Sequence, residues 1–160
     1  LILILWKWKQ EYWKKGFSMV DTNLVLRKLL QLERYLKEIE EFSDIKVKEY
    51  TNNWKIQRIV ERTLQIMVET CLDIASHIVS DEQYRVPENY GDTFKVLLEN
   101  KIIDEPLFLT MEKMVKFRNY IVHNYDKIDP PIVVSILKKN LIDFDSFKQA
   151  VVKYLALKKA

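Results

Sequence analysis

Only two glycines, Gly16 and Gly91, and four prolines interrupt these 160 residues. Glycine and proline are the residues that let a chain reverse sharply or end a helix. A sequence this poor in them has few places to turn, so it favours long helices over a turn-rich β protein. Hydrophobic residues make up 48% and charged residues 31%, the balance of a globular chain with a core to bury rather than a disordered one. The length suits one domain.

Helical spacing runs through most of the chain. Asp21-Thr22-Asn23 supplies capping side chains, after which Val25, Leu29, Leu32, Leu36 and Ile39 recur at intervals of four and three, to about Glu41. A second helix is expected from about Val47 to Val79, with two apolar stripes. One is Ile56, Val60, Met67, Ile74 and Ile78; the other is Leu64, Val68, Leu72, Ala75 and Val79. A helix apolar on two sides is central, packed by neighbours or by a second subunit. Between the stripes Gln65, Glu69, Asp73 and His77 recur every four residues. Polar groups on a mostly buried helix need partners, so this line either borders a cleft or pairs with basic residues of a packed helix.

Tyr84 to Gly91 reads as a loop punctuated by Pro87 and Gly91, with Asp92-Thr93 capping a short third helix, Phe94 to Glu99, which Asn100-Lys101 ends. Asp104 and Pro106 open a fourth helix that carries Leu107, Met111, Met114, Phe117 and Ile121 to about Tyr125. Asp129-Pro130-Pro131 opens a fifth through Val133, Ile136, Leu137, Ile142, Phe144, Phe147, Val151 and Leu155, with a small break near Asn140. The expectation is an all-α, up-and-down bundle of about five helices, without repeats or a second domain.

Residues 1–18 stand apart. Leu1 to Trp6 is apolar but far too short for a membrane span, which needs about 20 residues. A signal peptide would carry its charges before the apolar run, and here they follow it. Met19 precedes the first helix, so residues 1–18 read as an expression-derived or upstream leader and residues 19–160 as the domain. The alternative for the leader is an interfacial anchor that uses Trp6, Trp8 and Trp13 beside lysines. The net charge of +3 resides there, in Lys7, Lys9, Lys14 and Lys15 against Glu11; the remainder has 22 basic and 22 acidic residues. The domain is therefore not a bulk polyanion binder, and any nucleic-acid contact must be local. A single cysteine, Cys71, excludes an intrachain disulfide and fits a reducing, cytoplasmic setting. Cys71, His77 and His123 have no short metal-ligand spacing, so neither metal nor cofactor is expected.

The segment with chemistry in it is Arg118-Asn119-Tyr120-Ile121-Val122-His123-Asn124-Tyr125. Arginine is a permanent cation that offers paired donors to phosphate, and histidine passes protons near neutrality. At about 100° per residue Arg118 and His123 lie roughly 140° apart, so a regular helix does not point them together. Either the helix loosens near His123, or the long arginine reaches across, or the site closes against a second copy; the last two are preferred. Asp126, one turn after His123, could orient its ring, and Asp129 is a lesser candidate. Metal-independent RNA cleavage needs a base for the 2′-hydroxyl, an acid for the leaving 5′-oxygen and a cation at the phosphorane-like transition state. His123 and Arg118 are the residue types for those tasks. DNA lacks the attacking hydroxyl, so the chemistry would be RNA-specific. The bland alternative is a structural ion pair for Arg118 and a helix-capping His123.

A wider set of residues tips that balance. Leu26-Arg27-Lys28-Leu29, Leu32-Glu33-Arg34-Tyr35-Leu36, Trp54-Lys55-Ile56-Gln57-Arg58-Ile59-Val60-Glu61-Arg62 and Glu69-Thr70-Cys71-Leu72-Asp73-Ile74-Ala75 form part of it. Tyr84-Arg85-Val86-Pro87, Met114-Val115-Lys116-Phe117-Arg118-Asn119 and Val122-His123-Asn124-Tyr125 complete it. With these, Met19–Ala160 resembles HepT, the toxin member of the HEPN superfamily. The resemblance implies a homodimeric helical bundle with its motifs at the dimer cleft, and a ribonuclease toxin paired with a nucleotidyltransferase antitoxin of the MNT type. It further implies catalytic roles for Arg118 and His123, and Tyr125 as the acceptor of AMP from that partner. Asn119, Asp126, Asp73 and Glu69 are the supporting candidates. The chain has no Gly-Ser loop followed by paired aspartates, so it could not transfer AMP itself. Two other readings stay open at this stage. One is a non-catalytic helical module that dimerises and binds a nucleotidyltransferase or a nucleotide. The other is a membrane-associated bundle held by the leader tryptophans.

Overall fold

The central stripes of the sequence become the central helix of the molecule. In the computed structural model, which describes residues 22–124 and 128–159, seven helices follow one another. They are α1 (Thr22–Glu40), α2 (Val47–Asn52), α3 (Trp54–Asp81), α4 (Tyr90–Glu99), α5 (Glu105–His123), α6 (Pro130–Lys139) and α7 (Leu141–Lys159). The described residues contain no strand. Helix α3 packs against α1, α2, α4, α5 and α7. It buries Val60, Leu64, Met67, Val68, Leu72, Ile74, Ala75, Ile78 and Val79, from both apolar stripes. Helix α1 buries Val25, Leu29, Leu32, Leu36 and Ile39, the face expected from their spacing. Phe94 of α4 meets Phe147 of α7 edge to face, ring centroids 5.7 Å apart, which ties the far helix to the bundle. Cys71 is fully buried and burial pushes its thiol well up, so it is an inert core group.

Seven helices replace the expected five because two of the expected helices are interrupted. The foreseen break falls at Asn140, the C-cap of α6. The other, at Asn53, was not expected. Its extended backbone (φ −122°, ψ 90°) ends α2, and its side-chain oxygen accepts the Ile56 N–H at 3.2 Å to start α3. The continuous Val47–Val79 helix is corrected accordingly. Helix α4 also begins earlier than Phe94. Asn89, not Asp92, is its cap, accepting the Asp92 N–H at 2.9 Å, and Gly91 lies inside the first turn. Helix α5 starts as expected, with the Asp104 side chain accepting from the Leu107 N–H at 3.0 Å and Pro106 in the first turn.

Helices α3 and α4 end alike. After α3, the Gln83 N–H reaches the Ser80 carbonyl and the Tyr84 N–H the Val79 carbonyl; after α4, Lys101 reaches Leu98 and Ile102 reaches Leu97. Both are Schellman endings with a left-handed residue, Gln83 (φ 54°) and Lys101 (φ 58°), where glycine is usual. Among the described residues no helix is long and apolar enough to cross a membrane.

Candidate active site

Helix α5 delivers the motif. Its regular backbone runs through His123, and the Asn124 N–H closes on the Tyr120 carbonyl at 2.9 Å, so the helix does not loosen where the histidine stands. Arg118 points across to α3. Its Nε and Nη2 donate to the same Glu69 oxygen, Oε1, at 3.1 and 2.8 Å, and its Nη1 donates to Asn119 Oδ1 at 3.2 Å. The Arg118 side chain retains only 19% of its accessible surface. The Tyr90 ring, at the start of α4, lies against the guanidinium, with its centroid 5.6 Å from Cζ.

Counting donors shows what this arrangement leaves available. A guanidinium has five N–H groups. Glu69 and Asn119 engage three, so among the described residues one N–H on each terminal nitrogen remains, two donors for a phosphate. Asn119 stands one turn before His123 on the same face, so its bond draws the guanidinium toward the face that ends in the exposed His123. Arg118 and His123 stay roughly 140° apart around this regular helix.

Glu69 is held as a carboxylate. Burial pushes its carboxyl up, yet hydrogen bonds from Gln65 and Arg118 and the charges of Arg118 and Arg62 outweigh that and hold it below the usual carboxylate range. Gln65 donates to the same Oε1 at 2.9 Å. Glu69 of the polar line therefore pairs with a basic residue of a packed helix. Asp73 does so too, but with Lys28 of α1 at 2.9 Å, and it remains half exposed. Its contacts are with α1 rather than with Arg118. His77 is partly buried. Tyr125 and Asp126 lie outside the described residues, as do the leader and its tryptophans. Asp129 is exposed at the N-cap of α6 and makes no side-chain capping bond there.

Tyr90 and Arg85 were not among the expected site residues. Arg85 binds Asp92 at 2.7 Å through each terminal nitrogen and Glu99 at 2.8 and 2.9 Å, and Asp92 also accepts the Glu88 N–H at 2.8 Å. Hydrogen bonds from Arg85 and the Glu88 N–H hold the Asp92 carboxyl far below the usual range. This clamp fixes the loop that leads into Tyr90. The sequence does contain a signal for it: Asp92 and Glu99 are seven apart, on one face of a helix.

In sequence and fold the chain is similar to known proteins. The family model described as Ribonuclease HepT-like matches residues 32–151, three quarters of the chain. The chain is 32% identical over 126 residues to an mRNA nuclease HepT of Shewanella oneidensis, covering 78% of this chain and 93% of that protein. It is 26% identical over 136 residues to a tRNA nuclease HepT of Aphanizomenon flos-aquae, covering 85% and 92%. Among solved structures, a toxin–antitoxin complex with AMP-PNP superposes with a TM-score of 0.77 at 29% identity, covering 82% of this chain and 99% of that one. A tri-AMPylated Shewanella oneidensis HEPN toxin in complex with its MNT antitoxin gives 0.75 at 30%, covering 84% and 99%. By the extent of these matches, the chain belongs to the ribonuclease HepT-like family.

Proposed function

We propose that this protein is the toxin of a toxin–antitoxin pair, an endoribonuclease that acts as a homodimer and needs no metal. One observation carries the reading. In a chain of the ribonuclease HepT-like family, Arg118 is pinned by Glu69 and Asn119 so that a two-donor fork stays available on the helix that ends in His123.

In the proposed reaction the RNA 2′-oxygen attacks the adjacent phosphorus. The P–O2′ bond forms, the P–O5′ bond breaks, and a 2′,3′-cyclic phosphate and a 5′-hydroxyl remain. One histidine takes the 2′-hydroxyl proton and a second protonates the 5′-oxygen; His123 from each of two copies would divide these roles. Arg118 stabilises the charge that grows on the non-bridging oxygens. Glu69 and Asn119 act through Arg118, as positioning residues. Asp126 is retained as the group that orients His123, and Asp73, with its Lys28 pair, as a more distant support.

Silencing is assigned to an MNT-type nucleotidyltransferase that attaches AMP to Tyr125, supported by the AMPylated toxin complex that this chain resembles. Each added nucleotide brings a phosphate whose negative charge would compete for Arg118. The substrate and the lack of any possible intrachain disulfide support a cytoplasmic setting.

The test is cleavage of a mixed RNA in chelator by the purified protein and by His123→Ala. Cleavage by the parent alone, leaving cyclic phosphate ends, is expected. Equal activity of the two would remove His123 from the chemistry, and an inactive, folded parent dimer would favour the binding-module reading. Tyr125→Phe should stay active in the presence of the nucleotidyltransferase and ATP; silencing of that variant would place the acceptor elsewhere.

A further inference from the structure

Tyr90 is an unusual residue to leave uncovered. It is the first residue of α4, its ring lies on the Arg118 guanidinium, and it keeps 55% of its accessible surface. A tyrosine that served only to shield an ion pair would gain by burying its other face. The backbone under it is held from several directions. Arg85 ties the preceding loop to the first and last turns of α4 through Asp92 and Glu99, Glu88 donates its N–H to Asp92, and Asn89 caps the helix. A rigidly mounted, half-open aromatic ring beside a two-donor phosphate fork is the pairing by which proteins hold single-stranded RNA. The cation takes the phosphate and the ring stacks on a base.

We propose that Tyr90 is a base-stacking platform that seats the nucleobase next to the phosphate bound by Arg118, and so sets which nucleotide is presented for cleavage. This rests on the ribonuclease reading above. In a single strand a base is joined to its own phosphate through one ribose, and the Tyr90 ring centroid lies 5.6 Å from Arg118 Cζ, so the two groups can engage neighbouring parts of one nucleotide. Stacking tolerates any base, because every base has a π face, but favours the purines with their larger surface. The platform thus gives a purine-over-pyrimidine preference at one position rather than a hydrogen-bonded code.

The experiment uses a short single-stranded RNA with one cleavage site, and the same strand with an abasic nucleotide at each position flanking that site in turn. Parent, Tyr90→Phe, Tyr90→Leu and Tyr90→Ala proteins are compared for kcat and KM. Binding to the non-cleavable 2′-O-methyl strand is measured by fluorescence anisotropy. Tyr90→Phe should match the parent. Tyr90→Leu, which still covers Arg118 but has no ring, and Tyr90→Ala should lose roughly 5- to 100-fold in binding and kcat/KM, chiefly through KM. That loss should disappear on the strand with the abasic nucleotide at the stacked position. Full activity of Tyr90→Leu, or an equal loss on every abasic strand, overturns the platform and leaves Tyr90 as a cover for Arg118. If the parent binds the 2′-O-methyl strand in a Tyr90-dependent way but cuts nothing, the platform stands and the ribonuclease reading falls. If the parent neither binds nor cuts, both fall.

Discussion

Glu69 decides how Arg118 is presented. Its carboxylate takes two of the guanidinium donors on one oxygen, and its own charge is secured by Gln65 and Arg118 against the cost of burial. Glu69→Ala should leave Arg118 charged but unaimed. We expect kcat/KM for RNA to fall about 10- to 100-fold, as misplacement of a transition-state contact does. Glu69→Gln keeps an oxygen to accept and should lose less, and steady-state cleavage distinguishes the two. A more deeply buried acid behaves differently. Glu61 is 8% exposed, accepts the Tyr50 hydroxyl at 3.1 Å, and burial pushes its carboxyl above the usual range against opposing help from Tyr50 and Arg58. An acid raised in the folded state contributes stability that is present at low pH and lost as pH rises through its folded pKa. Glu61→Gln keeps the hydrogen bond and removes the charge. It should therefore be the more stable protein at neutral pH, with the advantage shrinking under mild acid; urea melts at the two pH values check this. A loss at neutral pH would mean that Arg58 more than offsets the burial of the charge.

The helices show what sequence periodicity can and cannot reveal. The faces of α1 and α3 were legible because burial enforces spacing: Val25, Leu29, Leu32, Leu36 and Ile39 are the buried set of α1, and both stripes of α3 are buried except at Ile56, which is partly buried. Asp104 and Pro106 opened α5 as read, because a cap acts on its own next turn. The break at Asn53 was not legible, since a polar residue on an exposed helical face and a cap between two helices look the same in sequence. Asn89 was passed over for Asp92-Thr93 because Asp92 has its competing task, binding Arg85 seven residues back, visible only once the loop is folded. The pairing of Glu69 with Arg118, 49 residues apart, had been left open between a cleft and a packed helix; which basic residue meets which acid depends on helix rotation. The helix ends offer a test at this scale. Lys101 takes a left-handed conformation that costs a side-chain-bearing residue about 1 kcal/mol relative to glycine. Lys101→Gly should raise stability by roughly 0.5–1 kcal/mol and Tm by about 2–4 °C per kcal/mol gained, read by thermal melting. An unchanged or lower Tm would indicate that the Lys101 side chain stabilises the turn.

At the scale of the molecule, the chain supplies one arginine fork and one exposed histidine on a helix that does not bend to bring them together. If two copies share one cleft and their histidines divide acid and base roles, one defective subunit disables the pair. A heterodimer of parent and His123→Ala chains, isolated through two different affinity tags, should then have activity far below half that of the parent dimer and near that of the doubly substituted one. Half activity would instead mean two self-sufficient sites.

The burial of Cys71 has a practical consequence. The chain has no other cysteine, and this one is shut away with its thiolate strongly disfavoured. One cysteine placed at an open position, such as Leu157→Cys with 70% exposure at the parent residue, would be the sole reactive handle per subunit. A spin label attached there would report a single distance between two copies, turning the geometry of the assembly into a direct spectroscopic reading without any need to strip native thiols first.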